Sequence, residues 1–198
     1  MSATEIRMAG FGGQGVILSA IVVGKAASIF QDGFATMTQN FGPEARGGAC
    51  SAQVIISDTP IHYPYVATPD ILVAMSQEAF TKFAPDLKPG GVLIIEQDLV
   101  HVAGIDHGER VYSVPATRIA EELGKRMAAN IVMVGFFAAV TGLVDPEALR
   151  RAITDSVPQR FRELNLKAFE KGFEYGAGAA IADIRTSARP LPQLDCAG

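Results

Sequence analysis

Six residues near the start of the chain limit what it can fold into. Gly10-Phe11-Gly12-Gly13-Gln14-Gly15 satisfies G-x-G-x-x-G, with a short apolar run at residues 5–9 before it and an apolar stretch at 14–30 after it. A strand that turns this tightly into a helix needs left-handed backbone, which glycine adopts without the Cβ penalty. Such a turn has two readings. It is an anion site, where missing side chains let a phosphate reach the free N–H groups of the helix start, or it lets the helix pack close to the sheet. A dinucleotide site also places an acidic residue at the end of the second strand, to hold the ribose. Here that strand, residues 34–39, ends in Gln39-Asn40, and Asp32 precedes it. The turn therefore points to an α/β sheet and argues against an ordinary NAD dehydrogenase.

The rest of the chain supports that class. The stretch at 14–30 is apolar nearly all round (Val16, Ile17, Leu18, Ile21, Val22, Val23, Ile29), as a helix buried on most sides must be. Further strands are expected at 49–57, 70–75, 92–96 and 110–114; the runs at 70–75 and 92–96 are continuously apolar, as in parallel strands covered on both faces. A short antiparallel strand is expected at 61–66, placed at an edge by Pro64. Ser76 stands where it can cap a helix over 77–83. The last third is helical: Ile119, Leu123 and Met127 mark one face, 131–141 is a buried helix, Asp145-Pro146 starts another, and a stripe from Phe161 to Phe173 marks the last. Strands alternating with helices predict a Rossmann-like, doubly wound, mostly parallel sheet with helices on both faces and a helical C-terminal cap. One domain is expected over residues 1–184, followed by an extended or disordered tail at 185–198 with no period and two prolines.

Composition excludes several functions. A formal net charge of −4 leaves no electrostatic footprint for nucleic acid. The longest apolar stretch, 131–144, is shorter than the roughly 20 residues a membrane span needs. Two cysteines, Cys50 and Cys196, cannot supply the four thiolates of an iron–sulfur cluster, and they suit a reducing cytoplasm. His62, His101 and His107 show no metal-ligand spacing. Cys50 reads as a small buried hydrophobe and Met133, Phe136 and Phe137 as core.

The second unusual segment is Asn40-Phe41-Gly42-Pro43-Glu44-Ala45-Arg46-Gly47-Gly48. If it follows a strand parallel to the first, it leaves the same sheet edge as the glycine turn and shares its crevice. Arg46 offers a permanently charged fork for phosphate or carboxylate, with Glu44 its nearest opposite charge. The two segments together, with Pro69-Asp70 before an apolar strand and Asn130 with Gly135 on an apolar helix, resemble the γ subunit of the 2-oxoacid:acceptor oxidoreductases over most of residues 5–176. In that family a tyrosine is typical where Phe41 stands.

The resemblance implies one subunit of a hetero-oligomer that oxidatively decarboxylates a 2-oxoacid (2-oxoglutarate, pyruvate, a branched-chain or an aromatic oxoacid) to its acyl-CoA. Thiamine diphosphate, Mg and iron–sulfur clusters are then expected on the α, β and ferredoxin-like partner subunits, and this chain is expected to help hold CoA. The candidate contact residues are Gly10, Gly12, Gly13, Gln14 and Gly15 on the turn, with Asn40 and Arg46 on the second loop. No residue of this chain is assigned a catalytic role. The alternatives from other classes are a self-sufficient NAD- or flavin-binding oxidoreductase and a purely structural subunit.

Overall fold

The computed structural model describes residues 3–40, 49–104 and 108–178. Residues 41–48 with Arg46, and also His107, Cys196 and the tail at 185–198, lie outside the described residues. Six strands, β1 (Thr4–Phe11), β2 (Phe34–Asn40), β3 (Ala49–Ser57), β4 (Ile71–Ala74), β5 (Val92–Glu96) and β6 (Arg110–Val114), form one sheet in the order β2-β3-β1-β4-β5-β6. The β1–β4–β5–β6 side is parallel, and β3 runs antiparallel to both β1 and β2. Because β3 reverses twice, β2 runs in the same direction as β1.

Alternation along each strand sends side chains to two cores. On one face Ile6, Met8, Val54, Val73 and Ile94 pack under α1 (Val16–Ile29), α4 (Ala129–Thr141), α5 (Pro146–Ser156) and α6 (Arg162–Gly178). On the other, Leu72, Ala74, Leu93 and Ile95 pack with Phe80 of α2 (Gln77–Phe83), Leu87 and Val100. Helices therefore lie on both faces, and a helical layer closes the C-terminal end. The capping residues act as the sequence indicates: Ser76 Oγ accepts from Ala79 N at 3.2 Å, and Asp145 Oδ1 accepts from Glu147 N at 2.9 Å. Met133, Phe136 and Phe137 are fully buried, as is Cys50, whose thiol burial pushes above its usual range.

Two expectations fail, each for a physical reason. Residues 61–66 form no strand. Side chains take the place of a ladder there: Val66 N donates to Gln53 Oε1 at 3.0 Å, and Arg7, buried on β1, donates to Val66 O at 2.9 Å and to Asp86. The segment straps the second face of the sheet and leaves Tyr63 and Tyr65 exposed. Met127 does not continue the face of α3 (Ala116–Glu122). That helix stops at Gly124, which is left-handed at φ 86°, and Met127 is turned out to solvent at 86% exposure.

Two details fix the frame around the sheet. At its N-terminal edge Asp70 accepts from Glu5 N at 2.7 Å and from Lys88 Nζ at 2.8 Å, joining β1, β4 and the turn before β5. In the helical layer α4 and α6 cross with backbone on backbone. A Cβ placed on Gly135 would strike Phe169 O, and one on Gly172 would strike Val132 O.

Candidate functional site

Chain direction reverses its sideways travel between β1 and β4: β1 leads through α1 towards β2 and β3, whereas β4 leads through α2 towards β5. A doubly wound sheet opens a crevice at such a point, outside the carboxyl ends of its strands. The glycine turn stands there. A cleft of about 330 Å³ lies over it, lined among others by Gly13, Gln14, Met75, Glu96, Arg126 and Met127.

The four glycines divide into two pairs with different work. A Cβ on Gly10 would come 2.5 Å from Gln14 Oε1 and 3.1 Å from Met75 Cβ, and one on Gly15 would come 2.5 Å from Asn130 Nδ2. These two positions admit neighbouring protein. Gly12 and Gly13 are exposed and have nothing within 4 Å of where a Cβ would be. Gly13 (φ 97°) and Gly15 (φ 76°) supply the left-handed steps that bring the chain round.

The turn is braced by neutral amides. Gln14 Oε1 accepts from Phe11 N at 2.7 Å and Gln14 Nε2 donates to Met75 O at 3.0 Å, tying the exit of β1 to that of β4. Met75 N also donates to Ala9 O at 2.8 Å. Asn130, buried at the start of α4, donates through Nδ2 to Gly15 O at 3.2 Å. Ser19 Oγ lies 3.2 Å from the same carbonyl. Gln14 thus spends its amide on a neighbouring strand end. Gly15 is the N-cap of α1 and provides no side chain to its first-turn N–H groups. Those donors, at the positive end of a 14-residue helix, are what an anion would meet.

Asn40 stands at the same edge. It pairs with Ser51, which pairs with Ala9, so its backbone is level with the last turn of β1 and two strand spacings away, about 10 Å. Phe11 pairs with Ala49 across β1 and β3, so the two described ends of the 41–48 segment lie on one side of the glycine turn, at the same end of the sheet. The expectation that both segments leave one sheet edge holds for Gly10 to Gly15 and for Asn40; Arg46 is beyond the described residues.

Sequence reasoning passed over Glu96. It ends the apolar run of β5, is 1% exposed, and lines the cleft. Its Oε2 accepts from Asp98 N and Leu99 N, both at 2.8 Å, and its Oε1 accepts from Thr117 N at 3.0 Å. The carboxylate therefore organises the turn after β5 and the first turn of α3. The available signal was a lone acid closing an otherwise wholly apolar strand. Among the described residues, no group of three His, Cys, Asp or Glu side chains could hold a metal ion, and no helix is long and apolar enough to cross a membrane.

Comparison with known proteins adds to this geometry. The family model described as pyruvate ferredoxin/flavodoxin oxidoreductase matches residues 5–175. Over 176 residues the chain is 52% identical to 2-oxoglutarate synthase subunit KorC of Methanothermobacter thermautotrophicus, covering 86% of this chain and 93% of that relative. The gamma subunit of a keto/oxoacid ferredoxin oxidoreductase from Geobacter sulfurreducens PCA matches with a TM-score of 0.79 at 41% identity, over 89% of this chain and 99% of that one. A 2-oxoglutarate:ferredoxin oxidoreductase from Magnetococcus marinus, solved with 2-oxoglutarate, coenzyme A and succinyl-CoA bound, shares the fold at TM-score 0.78 and 22% identity. There 92% of this chain corresponds to 32% of a longer polypeptide.

Proposed function

Since this chain belongs to the pyruvate ferredoxin/flavodoxin oxidoreductase family, as the gamma subunit of a 2-oxoacid:ferredoxin oxidoreductase, we propose that it serves a complex acting on 2-oxoglutarate and helps to hold CoA. Its KorC relative supports that choice of 2-oxoacid. The reaction is oxidative decarboxylation of 2-oxoglutarate to succinyl-CoA and CO2, with two electrons passed to a ferredoxin-type acceptor. Thiamine diphosphate with Mg, which stabilises the carbanion left by decarboxylation, belongs on partner subunits in this reading. The iron–sulfur clusters belong there too, because two cysteines cannot ligate one.

This chain's own contribution is binding and placement. The single observation that carries the reading is that Gly13 lines the cleft at the uncapped start of α1, with Gly12 exposed beside it. Backbone N–H groups there are oriented before a ligand arrives, so a CoA phosphate is held without reordering the turn. Arg126 lines the cleft and adds cationic charge; in this reading Arg46 is a second cation for the ligand and Asn40 a neutral amide.

The test is steady-state kinetics of the reconstituted complex carrying Gly12→Val. The added Cβ has no protein atom within 4 Å, so the fold of the subunit should survive, while the approach to the turn is filled. KM for CoA should rise about tenfold, equivalent to about 1.4 kcal/mol of binding, with KM for 2-oxoglutarate unchanged. Arg46→Ala should move the same constant. An assembled, active Gly12→Val complex with wild-type CoA saturation would leave the subunit with a purely architectural role and overturn the reading.

A further inference from the structure

On the helical face, remote from the glycine turn in sequence, α5, α6 and the end of α1 enclose a second cleft of about 520 Å³. It is lined by Phe30, Arg150, Arg151 and Arg162, with Glu147 and Asp155. Positions 147, 150, 151, 154 and 155 form one stripe of α5, and Arg162 and Leu166 one side of α6.

The charges of this cleft do not balance. Arg150 is fully engaged: its Nε and Nη2 donate to the two oxygens of Glu170 at 2.6 and 3.0 Å, and its Nη1 to Glu147 at 3.2 Å. Asp155 is taken by Lys25 at 2.8 Å. Both carboxylates of the cleft are thereby spent on other cations. Arg151 has no carboxylate within ion-pair distance among the described residues; its guanidinium lies over the Phe30 ring at 4.6 Å. Arg162 has no carboxylate within ion-pair distance either, although its charge acts on Asp155, and its Nε is buried without a hydrogen-bond acceptor. Counting Lys25 and Glu170 with the lining residues, four cations face three carboxylates, so the hollow carries net positive charge on a chain whose net charge is −4.

We propose that this cleft is a second anion site, in which Arg151 and Arg162 together grip a phosphate group, with the Phe30 ring holding the Arg151 fork in place. A phosphate monoester carries about −1.5 to −2 charge and three acceptor oxygens, which matches two guanidinium forks. The site is independent of the CoA reading of the glycine turn and shares no residue with it.

The experiment is 15N NMR of the full chain, following the arginine Nε–Hε signals during titration with inorganic phosphate at constant ionic strength. Saturable movement of the Arg162 signal is expected, with affinity lowered about tenfold or more in Arg151→Ala. Arg118→Ala, which removes an exposed arginine paired with Asp98, should leave the titration unchanged. Thermal unfolding of each variant checks that the fold is retained, and the wild-type titration stands whatever the variants do. A linear drift of the Arg162 signal, matched by chloride, overturns the proposal. Tighter saturation by succinate than by phosphate also overturns it, by assigning the cleft to a carboxylate.

Discussion

At the scale of single residues, the glycine turn separates fold from ligand. Gly15→Ala must place a side chain in left-handed backbone and displace the buried Asn130 amide, so we expect a loss of roughly 2–4 kcal/mol in denaturant unfolding. Gly12→Ala meets open space and should stay within about 0.5 kcal/mol of wild type in the same measurement. The sequence pattern alone treats these glycines as equivalent, because G-x-G-x-x-G records only that a side chain is absent. Which absence serves Asn130 and which faces the cleft depends on α4, more than 100 residues further on. Glu96 was hidden for a related reason: a single acid at a strand end looks the same whether solvent or three backbone amides surround it.

Among the elements, the α4–α6 crossing is the least forgiving contact. Gly135→Ala or Gly172→Ala would push two helix backbones apart, and neither neighbour is a side chain that can rotate away. A loss of about 3 kcal/mol or more is expected for each, read from the midpoint of chemical unfolding. The pair between α5 and α6 behaves differently. Hydrogen bonding from Arg150 holds the Glu170 carboxyl below its ordinary value of 4.5. A lowered folded value means that the pair stabilises the fold above that ordinary value and stops doing so as pH falls through the depressed one. Glu170→Gln should therefore cost up to about 1 kcal/mol at neutral pH, since both side chains are about a third exposed, and the difference should start to shrink below pH 4.5 and vanish once pH is below the depressed value. Elements of this kind were largely legible: the apolar runs at β4 and β5 and the caps at Ser76 and Asp145 all fell where their residues indicated. The strap at 61–66 was not, because it alternates like a strand while Gln53 and Arg7 supply its hydrogen bonds from other parts of the chain.

For the molecule as a whole, the sheet order places the glycine turn and Asn40 at one edge and the Asp70 lock at the opposite edge, so one end of the sheet is bound tightly while the other opens onto the cleft. The parallel half of this layout was readable from its buried runs, whereas insertion of β3 between β1 and β2 was not, since local pattern does not say which strand is whose neighbour. As one subunit of a larger oxidoreductase, the purified chain should turn over no 2-oxoacid with a ferredoxin acceptor, and activity should appear when partner subunits are added; turnover by the chain alone would contradict the assignment. The bracing of the turn carries one last consequence. Gln14 and Asn130 hold it with uncharged groups, while the outer helices are tied by Arg150–Glu170 and Lys25–Asp155. Brine and acid weaken ion pairs and leave amide contacts nearly untouched. Under either stress the periphery therefore slackens first, while the amide-braced bend keeps its shape.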